Sequence, residues 1–310
     1  MPLDKMKENP TVSVIINCYN GEEFLRETID SVINQTYSNW ELIFWDNQST
    51  DSSAEIIKSY QDDRIRYFYA PTHTPLGEAR NYAIDNAKGD YLTFLDSDDV
   101  WMSDFLKYGT DCLDNNPQLV GYYSNRYVIK NGTSTIGNDE ISGIRTIDNI
   151  IENYKIDVSA CLLRLNIIKL NDIHVNSTYQ MIEDYDFFIK VAVHGNFFYD
   201  NKPLMSFRVH FSETYRKREK WYYEYCSFRS FAELLYKDGI VNNKSLEAVD
   251  RKIVESKLGA LIVENRRMDY LSHFLCHINV LYKYWKQFLL YMLFGRDRFI
   301  RIMNRRLSKI

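Results

Sequence analysis

Residues 89–101 read GDYLTFLDSDDVW, an apolar run that ends directly in an acidic turn. The segment YLTFL has the length and apolarity of a strand that is buried on both faces of a sheet. It leads into three carboxylates within four positions, at Asp96, Asp98 and Asp99. We expect Gly89 to end the preceding helix in a left-handed conformation. The stretch therefore predicts a buried strand that brings an acidic turn to one edge of a sheet.

The chain before this stretch alternates between strands and helices. Apolar runs such as VSVIIN (residues 12–17) and WELIFW (residues 40–45) predict further strands, and amphipathic segments between them predict helices. This alternation is typical of an α/β fold with a mostly parallel sheet flanked by helices. Polar clusters follow three of the strands, at residues 17–20, 46–51 and 96–99. Because such sheets bind ligands at the carboxyl ends of their strands, the clusters predict one binding edge.

The pattern changes after the acidic turn. Residues 105–215 mix strands and helices less regularly, and residues 216–310 have a helical pattern almost throughout. We therefore predict three parts, which are residues 1–104, residues 105–215 and a C-terminal helical extension over residues 216–310.

The composition excludes several classes of protein. The 310 residues are 45% hydrophobic and 26% charged, which is ordinary for a folded globular chain. The net charge of -4 lacks the basic excess of a nucleic-acid-binding protein, so we expect no nucleic-acid partner. The five cysteines are scattered, the N-terminus has no apolar leader, and no apolar run is long enough to span a bilayer. These features predict a cytoplasmic protein.

The acidic turn is the first candidate ligand site. Closely packed carboxylates repel one another unless a cation lies among them. Hard divalent ions prefer oxygen ligands, and Mg²⁺ commonly binds one or two carboxylates together with substrate phosphates. An Asp-rich turn that only caps a helix is the alternative interpretation, and the turn by itself leaves both open.

Six motifs in a fixed order give the sequence a resemblance to a known family. They are VSVIINCYN (12–20), FWDNQSTD (44–51), GEARN (77–81), GDYLTFLDSDDVW (89–101), EDYDFFIKVAVHG (183–195) and FRVHFSE (207–213). In this order they resemble the family-2 inverting glycosyltransferases, which have the GT-A fold. The triplet that begins at Asp96 resembles the DXD motif of that fold.

The resemblance implies a GT-A (Rossmann-like) fold and a metal-dependent, hexosyltransferase-type enzyme. Such an enzyme moves a sugar from a nucleotide diphosphate donor to an acceptor hydroxyl, with Mn²⁺ or Mg²⁺ as cofactor. Residues 1–104 would bind the nucleotide sugar, and residues 105–215 would bind the acceptor and carry the catalytic groups. The implied setting is the biosynthesis of bacterial surface polysaccharide or glycan, with a glycan or lipid-linked glycan as acceptor.

Carried onto this sequence residue by residue, the resemblance first implies a base and ribose site. Asp46 would accept a hydrogen bond from the nucleotide base, and Asn17 and Tyr19 would line the base and the ribose. The family usually continues with Asp-Gly after the position of Asp46, whereas this chain has Asn47 followed by a glutamine. That departure leaves the identity of the base open.

The resemblance also implies contacts to the diphosphate and the sugar. Gly77 and Arg80 would approach the donor, and Arg80 would offset phosphate charge. Asp96 would meet the ribose or a metal-bound water, Asp98 would ligate the divalent ion, and Trp101 would lie beside the sugar.

A second acidic pair, Glu183-Asp184, precedes an amphipathic run. Acidic residues in the first turn of a helix also complement the helix dipole, which is the alternative explanation of the pair. The resemblance implies that Asp184 is the general base and that Glu183 orients it, although spacing leaves open which of them takes the proton. His210 resembles a late histidine of the family near the metal, whereas a lone histidine is more often structural.

Two other functions remain open at the level of the sequence. A non-catalytic nucleotide-sugar-binding protein would keep the donor site, but it needs no base such as Asp184. A nucleotidyltransferase would share the sheet, but it should have a Gly-rich phosphate loop after the first strand, where this chain has only Gly21.

The C-terminal segment, residues 283–310, has eight Lys or Arg residues and one Asp among aromatic and aliphatic residues. A basic amphipathic segment can lie in an anionic membrane interface, here the inner face of the cell membrane. The alternatives are an ordinary helix packed on the catalytic part and a helix that forms a dimer with a second protomer.

Overall fold

The computed structural model describes residues 11–130, 132–209, 218–263, 266–281 and 292. The chain divides into two compact units, Met1–His210 and Phe211–Ile310. The predicted boundaries at residues 104 and 215 stay predictions.

The first unit is built on a sheet that has ten strands among the described residues. The strands are β1 Val12–Cys18, β2 Trp40–Asp46, β3 Ile65–Tyr69, β4 Tyr91–Phe94, β5 Val100–Trp101, β6 Leu119–Lys130, β7 Thr133–Ile136, β8 Gly143–Arg145, β9 Cys161–Arg164 and β10 Asn196–Arg208. The helices of this unit are α1 Leu25–Ile33, α2 Ser53–Lys58, α3 Leu76–Asp85, α4 Phe105–Asn115, α5 Ile147–Glu152, α6 Leu165–Leu170 and α7 Glu183–Ala192. The mixed α/β architecture agrees with the prediction.

The strand order is β3-β2-β1-β4-β9-β6-β10-β5, with β7 on β6 and β8 on β10. Strands β3, β2, β1 and β4 are parallel to one another, whereas β9 is antiparallel to both of its neighbours. The parallel half matches the predicted alternation, and its carboxyl ends meet at one edge because Cys18 of β1 is in register with Asp46 of β2.

Strands β1, β2 and β4 form because most of their residues are apolar and suited to burial on both faces. Every residue of β2 is buried, and only Asn17 in β1 is partly exposed. Helix α1 covers one face of the sheet with Leu25, Ile29 and Val32, which recur at helical spacing. Burial of a side chain of this size contributes about 1.5–3 kcal/mol, so the core fixes the sheet edge on which the polar residues lie.

The prediction for Gly89 was wrong. Helix α3 ends earlier, at Asp85, and its cap residue Asn86 is not left-handed. Gly89 is absent from the left-handed residues, but a Cβ there would lie 2.7 Å from the amide nitrogen of Ser13. The glycine is therefore needed for close packing against β1 rather than for a helix cap.

The second unit contains α8 Arg218–Lys237, α9 Asn243–Val263, α10 Arg267–Cys276 and α11 Ile278–Leu281. Helices α8 and α9 pack together through buried side chains such as Phe228 and Val249, and Arg229 forms an ion pair with Asp250 at 2.5 Å. No helix in the described ranges has both the length and the apolarity required to cross a membrane. The basic segment of residues 283–310 lies, except for residue 292, outside the described residues.

Candidate active site

A cleft of about 390 Å³ opens at the carboxyl edge of the parallel strands. Six of the residues that line it come from the ends of β1 and β4 and from the start of α3: Asn17, Tyr19, Gly21, Leu76, Asp96 and Asp98. Four of them are predicted site residues, so the structure brings the first and fourth motifs together around one cavity.

The loops that follow β1 and β2 are tied together beside this cleft. Asn20 has a positive φ of 54°, and its side-chain oxygen accepts a hydrogen bond from the backbone N–H of Thr50 at 2.8 Å. Asn47 binds Thr74 in both directions, because its Nδ2 donates to the Thr74 carbonyl at 2.8 Å and its Oδ1 accepts from the Thr74 N–H. These bonds fix the backbone at a site where a base would have to be recognised.

Asp46 supports this loop instead of facing the cleft. Its side chain is fully buried, and its two carboxylate oxygens accept hydrogen bonds from the Ser49 backbone N–H at 2.7 Å and the Tyr67 hydroxyl at 2.8 Å. It therefore has no exposed surface with which to contact a base. The base contact of Asp46 stays a prediction. Nearby, the rings of Tyr19 and His73 lie with their centroids 4.3 Å apart.

An unpaired donor of Asn17 lies at the end of β1. The Nδ2 atom of Asn17 is buried and has no hydrogen-bond partner among the described residues, although the side chain lines the cleft. Buried polar atoms are nearly always hydrogen-bonded, so an unpaired one at a cavity indicates a ligand or water position.

The three carboxylates of the acidic turn differ in their surroundings. The side chain of Asp96 is 46% exposed and lines the cleft together with Asp98. Asp99 instead points into the core, where it accepts hydrogen bonds from the Ser159 hydroxyl and the Arg208 backbone N–H. Burial, reinforced by the charge of Asp96, raises the pKa of Asp99 to about 8. Asp96 and Asp98 therefore line the cleft, whereas Asp99 does not.

Trp101 is also a supporting residue. Its side chain is buried, and its indole Nε1 donates to the carbonyl oxygen of Ser159 at 2.6 Å. Ser159 in turn accepts a hydrogen bond from the backbone N–H of Asp96 through its hydroxyl. Trp101 thus positions Ser159, and Ser159 positions the acidic turn. The burial of Trp101 argues against direct contact with a sugar.

Arg80 joins the two acidic clusters that the sequence placed about 90 positions apart. This side chain is only 4% exposed. One guanidinium nitrogen lies 3.3 Å from Asp96 Oδ1, and another lies 3.5 Å from Glu183 Oε1. The first and the second acidic motifs therefore meet around a single buried cation.

Gly77 makes this meeting possible. It lies in the first turn of α3, and a Cβ at this position would come within 3.1 Å of the carbonyl oxygen of Asn176. The absence of a side chain lets α3 pack against the segment that leads to α7. This close packing accompanies the approach of Arg80 to Glu183, and the predicted approach of Gly77 to the donor stays a prediction.

The second acidic pair begins α7, and one of its two residues faces a second cavity of about 340 Å³. Glu183 lines this cavity, which shares Leu76 with the first cleft. Burial raises the pKa of Glu183 to about 7, against the lowering effect of Arg80. A carboxylate with a pKa near neutrality is suited to proton transfer.

Asp184 is held by hydrogen bonds. Its Oδ2 accepts from the Tyr154 hydroxyl at 2.9 Å, and its Oδ1 accepts from the backbone N–H of Tyr185 at 2.7 Å. Burial raises the pKa of Asp184, while both hydrogen bonds lower it. The two residues of the pair thus have different partners, since Glu183 pairs with Arg80 and Asp184 accepts a hydrogen bond from Tyr154.

The carboxylate ligands at this cleft fit a divalent cation of the magnesium type. Asp96 and Asp98 present carboxylates to one cleft, and one or two carboxylates with substrate phosphates are what Mg²⁺ commonly uses. Within the described ranges, no three His, Cys, Asp or Glu side chains are grouped so as to hold a metal alone. His210, the other predicted metal ligand, lies outside the described residues.

Sequence reasoning missed the contributions of His73, Tyr154, Asp157 and Ser159. None belongs to one of the six motifs, and each reaches the site through a contact with a distant residue. The only local signal was the Asp-Val-Ser sequence of residues 157–159, in which Asp157 accepts a hydrogen bond from the Ser159 N–H and caps a short 3-10 turn.

The sheet has a parallel half with an acidic turn at its carboxyl edge, and an antiparallel half continues it. This is the architecture of the GT-A glycosyltransferases. The family model for glycosyl transferase family 2 matches residues 13–166. The chain belongs to this family through those residues.

The matches to curated relatives such as the two below cover less than half of each relative's length. An uncharacterized glycosyltransferase of Haemophilus influenzae is 45% identical over 100 residues, which are 32% of this chain and 40% of that protein. The Escherichia coli UDP-Glc:alpha-D-GlcNAc-diphosphoundecaprenol beta-1,3-glucosyltransferase WfgD is 33% identical over 126 residues, which are 41% of this chain and 49% of that one.

Solved structures show the same fold. The S. aureus TarS 1-349 complex with UDP-GlcNAc superposes with a TM-score of 0.64 at 21% identity, over 81% of this chain and 72% of the TarS 1-349 chain. The mannosyltransferase PcManGT of Pyrobaculum calidifontis, in complex with GDP-Man and Mn2+, gives 0.61 at 14% identity over 99% of this chain and 90% of its own.

Proposed function

We propose that the protein transfers a sugar from a nucleoside diphosphate donor to a hydroxyl group of a glycan or lipid-linked glycan, with inversion at the anomeric carbon. The observation that carries the proposal is the Arg80 bridge between Asp96 and Glu183. It supports a single site in which a donor half and an acceptor half face each other.

On the donor side, Tyr19 offers an exposed ring on which a base can stack, and the unpaired Asn17 Nδ2 offers a hydrogen-bond donor. Arg80 provides positive charge beside Asp96, where the diphosphate would lie. Asp98 would hold a Mn²⁺ or Mg²⁺ ion directly, and Asp96 would contact it through a water. Such an ion, when bound, stabilises the negative charge of the departing diphosphate.

On the acceptor side, a carboxylate of the second acidic pair takes the proton of the acceptor hydroxyl. The acceptor oxygen then forms a bond to the anomeric carbon while the bond from that carbon to the diphosphate oxygen breaks, and the diphosphate leaves with the electron pair. Because attack and departure occur on opposite faces of the sugar, one displacement inverts the configuration. Arg80 offsets the charge that develops on the leaving group.

Within the pair we assign the base to Asp184, as the resemblance implies, and we assign the link to the donor side to Glu183. The Tyr154 hydroxyl supports this assignment, because it orients Asp184 Oδ2. Glu183 is the second candidate, since its side chain lines the neighbouring cavity and its pKa is raised to about 7.

The relatives support a setting in the assembly of surface glycans. WfgD acts, by its name, on a diphosphoundecaprenol-linked acceptor, and TarS binds UDP-GlcNAc. We propose a similar class of acceptor for this protein and a location at the cytoplasmic face of the membrane.

The test is a screen of UDP- and GDP-sugars with and without Mn²⁺, in which release of nucleoside diphosphate is measured for the full chain and three variants. Asp184→Asn should lower turnover by about 10²–10⁴-fold, the usual contribution of a general base, and keep donor binding. Glu183→Gln should lower turnover less. Asp186→Asn is the matched control, because Asp186 lies in the same helix turn and bonds to Lys190 at 2.6 Å.

Three outcomes distinguish the assignments. A larger loss in Glu183→Gln than in Asp184→Asn would transfer the base to Glu183. Wild-type turnover in both variants would remove the second acidic pair from the mechanism. Absence of nucleoside diphosphate release from every sugar nucleotide, together with absence of nucleotide binding, would contradict the proposed function.

A further inference from the structure

The segment Tyr154–Ser159 runs between the two acidic clusters and contacts both. At one end, the Tyr154 hydroxyl donates to Asp184. At the other end, the Ser159 hydroxyl accepts from the Asp96 N–H at 3.1 Å and donates to Asp99 at 2.7 Å. The segment therefore connects the two clusters, between which the proposed function places the transferred sugar.

Asp157 occupies that middle position. Its Oδ1 accepts from the Ser159 N–H at 3.1 Å, and its side chain is 14% exposed. Burial raises its pKa to about 6, Arg126 lowers it, and the charges of Asp96 and Asp184 both raise it. Asp157 is thus close enough to both acidic clusters to sense their charges.

Arg126 of strand β6 is the partner of Asp157. One of its terminal guanidinium nitrogens lies 3.3 Å from Asp157 Oδ2, and the side chain keeps 30% of its surface exposed. Its Nε atom is buried and has no hydrogen-bond partner in the part of the chain that the structure describes. A guanidinium has five N–H donors, so this pair retains both donors and acceptor lone pairs for a ligand.

The chemistry of this pair restricts the class of ligand. A phosphate would be repelled by the carboxylate of Asp157, and a metal ion would have to displace the Arg126 guanidinium that already lies beside that carboxylate. A neutral polyol meets neither obstacle. Adjacent hydroxyl groups can donate to the carboxylate and accept from the guanidinium at the same time.

We propose that Asp157 and Arg126 bind neighbouring hydroxyl groups of the transferred sugar and so determine which sugar the enzyme accepts. This inference rests on the proposed function, because it assumes that a donor sugar occupies the space between the two acidic clusters. A sugar with the wrong hydroxyl orientation would leave these partly buried charges without hydrogen bonds, which is the kind of mismatch that gives strong discrimination.

The test compares sugar recognition with nucleotide recognition in the full chain. Dissociation constants are measured for UDP and GDP alone, and for the epimeric pair UDP-glucose and UDP-galactose or the pair GDP-mannose and GDP-glucose, according to the base that binds. The variants are Asp157→Asn and Arg126→Gln. The matched control is Asp62→Asn, which weakens a similar ion pair with Arg64 at 2.6 Å on another part of the sheet.

Both variants should bind the nucleoside diphosphate alone within about twofold of wild type. For the preferred sugar nucleotide, the dissociation constant should rise by about 10–100-fold, as expected for loss of one or two hydrogen bonds to a charged group. The ratio of the dissociation constants of the two epimers should approach one. The Asp62→Asn control should leave that ratio unchanged.

Two results would overturn the inference. An unchanged epimer ratio in a folded Arg126→Gln or Asp157→Asn protein would show that the ion pair is only structural. A parallel loss of binding for the nucleoside diphosphate alone would place the pair at the nucleotide instead of the sugar. If the wild-type protein bound no nucleoside diphosphate at all, the proposed function would fail first, and the inference would fail with it.

Discussion

Replacement of Arg80 by methionine tests the bridge between the two acidic clusters. The substitution keeps much of the side-chain volume and removes the guanidinium that lies 3.3 Å from Asp96 and 3.5 Å from Glu183. Breaking a fully buried ion pair costs about 3–5 kcal/mol. Because Asp96 is 46% exposed and screened by solvent, its ion pair contributes little to stability. We therefore expect the free energy of unfolding to fall by about 2–3 kcal/mol, mainly through the pair with Glu183.

This loss of stability should depend on pH, and the titration of Glu183 determines whether the loss grows or shrinks as pH rises. The pKa of Glu183 is raised to about 7 even though Arg80 lowers it. Below that pH the carboxyl group is protonated and does not need the arginine, so the substitution should cost little at pH 5.5. Above it the charged carboxylate would be buried without its partner. We therefore expect a substantially larger loss at pH 8.5 than at pH 5.5.

The assay is urea unfolding of wild type and variant at both pH values. The control is Arg266→Met, which makes the same change at an exposed arginine whose ion pair with Asp269 is 2.6 Å long. An exposed pair contributes at most about 1 kcal/mol, without this pH dependence. An Arg80→Met variant that lost no more stability than the control, or lost the same amount at both pH values, would refute the bridge as described.

Three further predictions concern the acidic turn and the C-terminal segment. Asp98→Ala should abolish the Mn²⁺-dependent part of donor binding in calorimetric titrations, and metal-dependent binding equal to wild type would exclude Asp98 as a ligand. Asp99 binds its proton more tightly in the folded state, with a pKa near 8 against 3.8, so its charge destabilises the fold as pH rises from about 4 to 8. Asp99→Asn should therefore gain stability relative to wild type by about 1 kcal/mol or more between pH 5 and pH 8.5 in urea unfolding with EDTA, and a pH-independent difference would contradict this. Deletion of residues 282–310 should reduce partition into anionic vesicles in a sedimentation assay, and unchanged partition would defeat the membrane interpretation.

The parallel half of the sheet could be predicted because its signal is local. Strands β1, β2 and β4 are apolar on both faces, and their polar ends are visible in the sequence as Asn17, Asp46 and Asp96. The family resemblance also identified Arg80 and the Glu183-Asp184 pair as candidates. The structure then brought them together through contacts that no local pattern contains.

The residues whose predicted roles changed are those with distant partners. Asp46 is buried because Tyr67, 21 positions later on β3, donates a hydrogen bond to it. Trp101 is buried because it bonds to Ser159, 58 positions later. Both were predicted at the site from their places within the family motifs, which give the position along the strand and not the direction in which the side chain points.

Asp157 was missed for a related reason. It lies in an irregular segment before β9, with neither the apolar period of a strand nor a family motif to mark it. Its proximity to Asp96 and Asp184 depends on the antiparallel strand β9 lying between β4 and β6. The sequence predicted only a mixed region there, so the strand order of that half, and every contact that depends on it, required the structure.

The proposed function places a cation and a diphosphate on one side of the site and a proton acceptor on the other. A crystal structure of the full chain with a bound nucleoside diphosphate and Mn²⁺ tests this most directly, because manganese is located by its anomalous signal. We expect the Mn²⁺ peak beside Asp98 and the diphosphate in the same cleft as Arg80, with Glu183 and Asp184 across from it. A nucleotide bound elsewhere, or an Mn²⁺ peak remote from Asp98, would contradict the account.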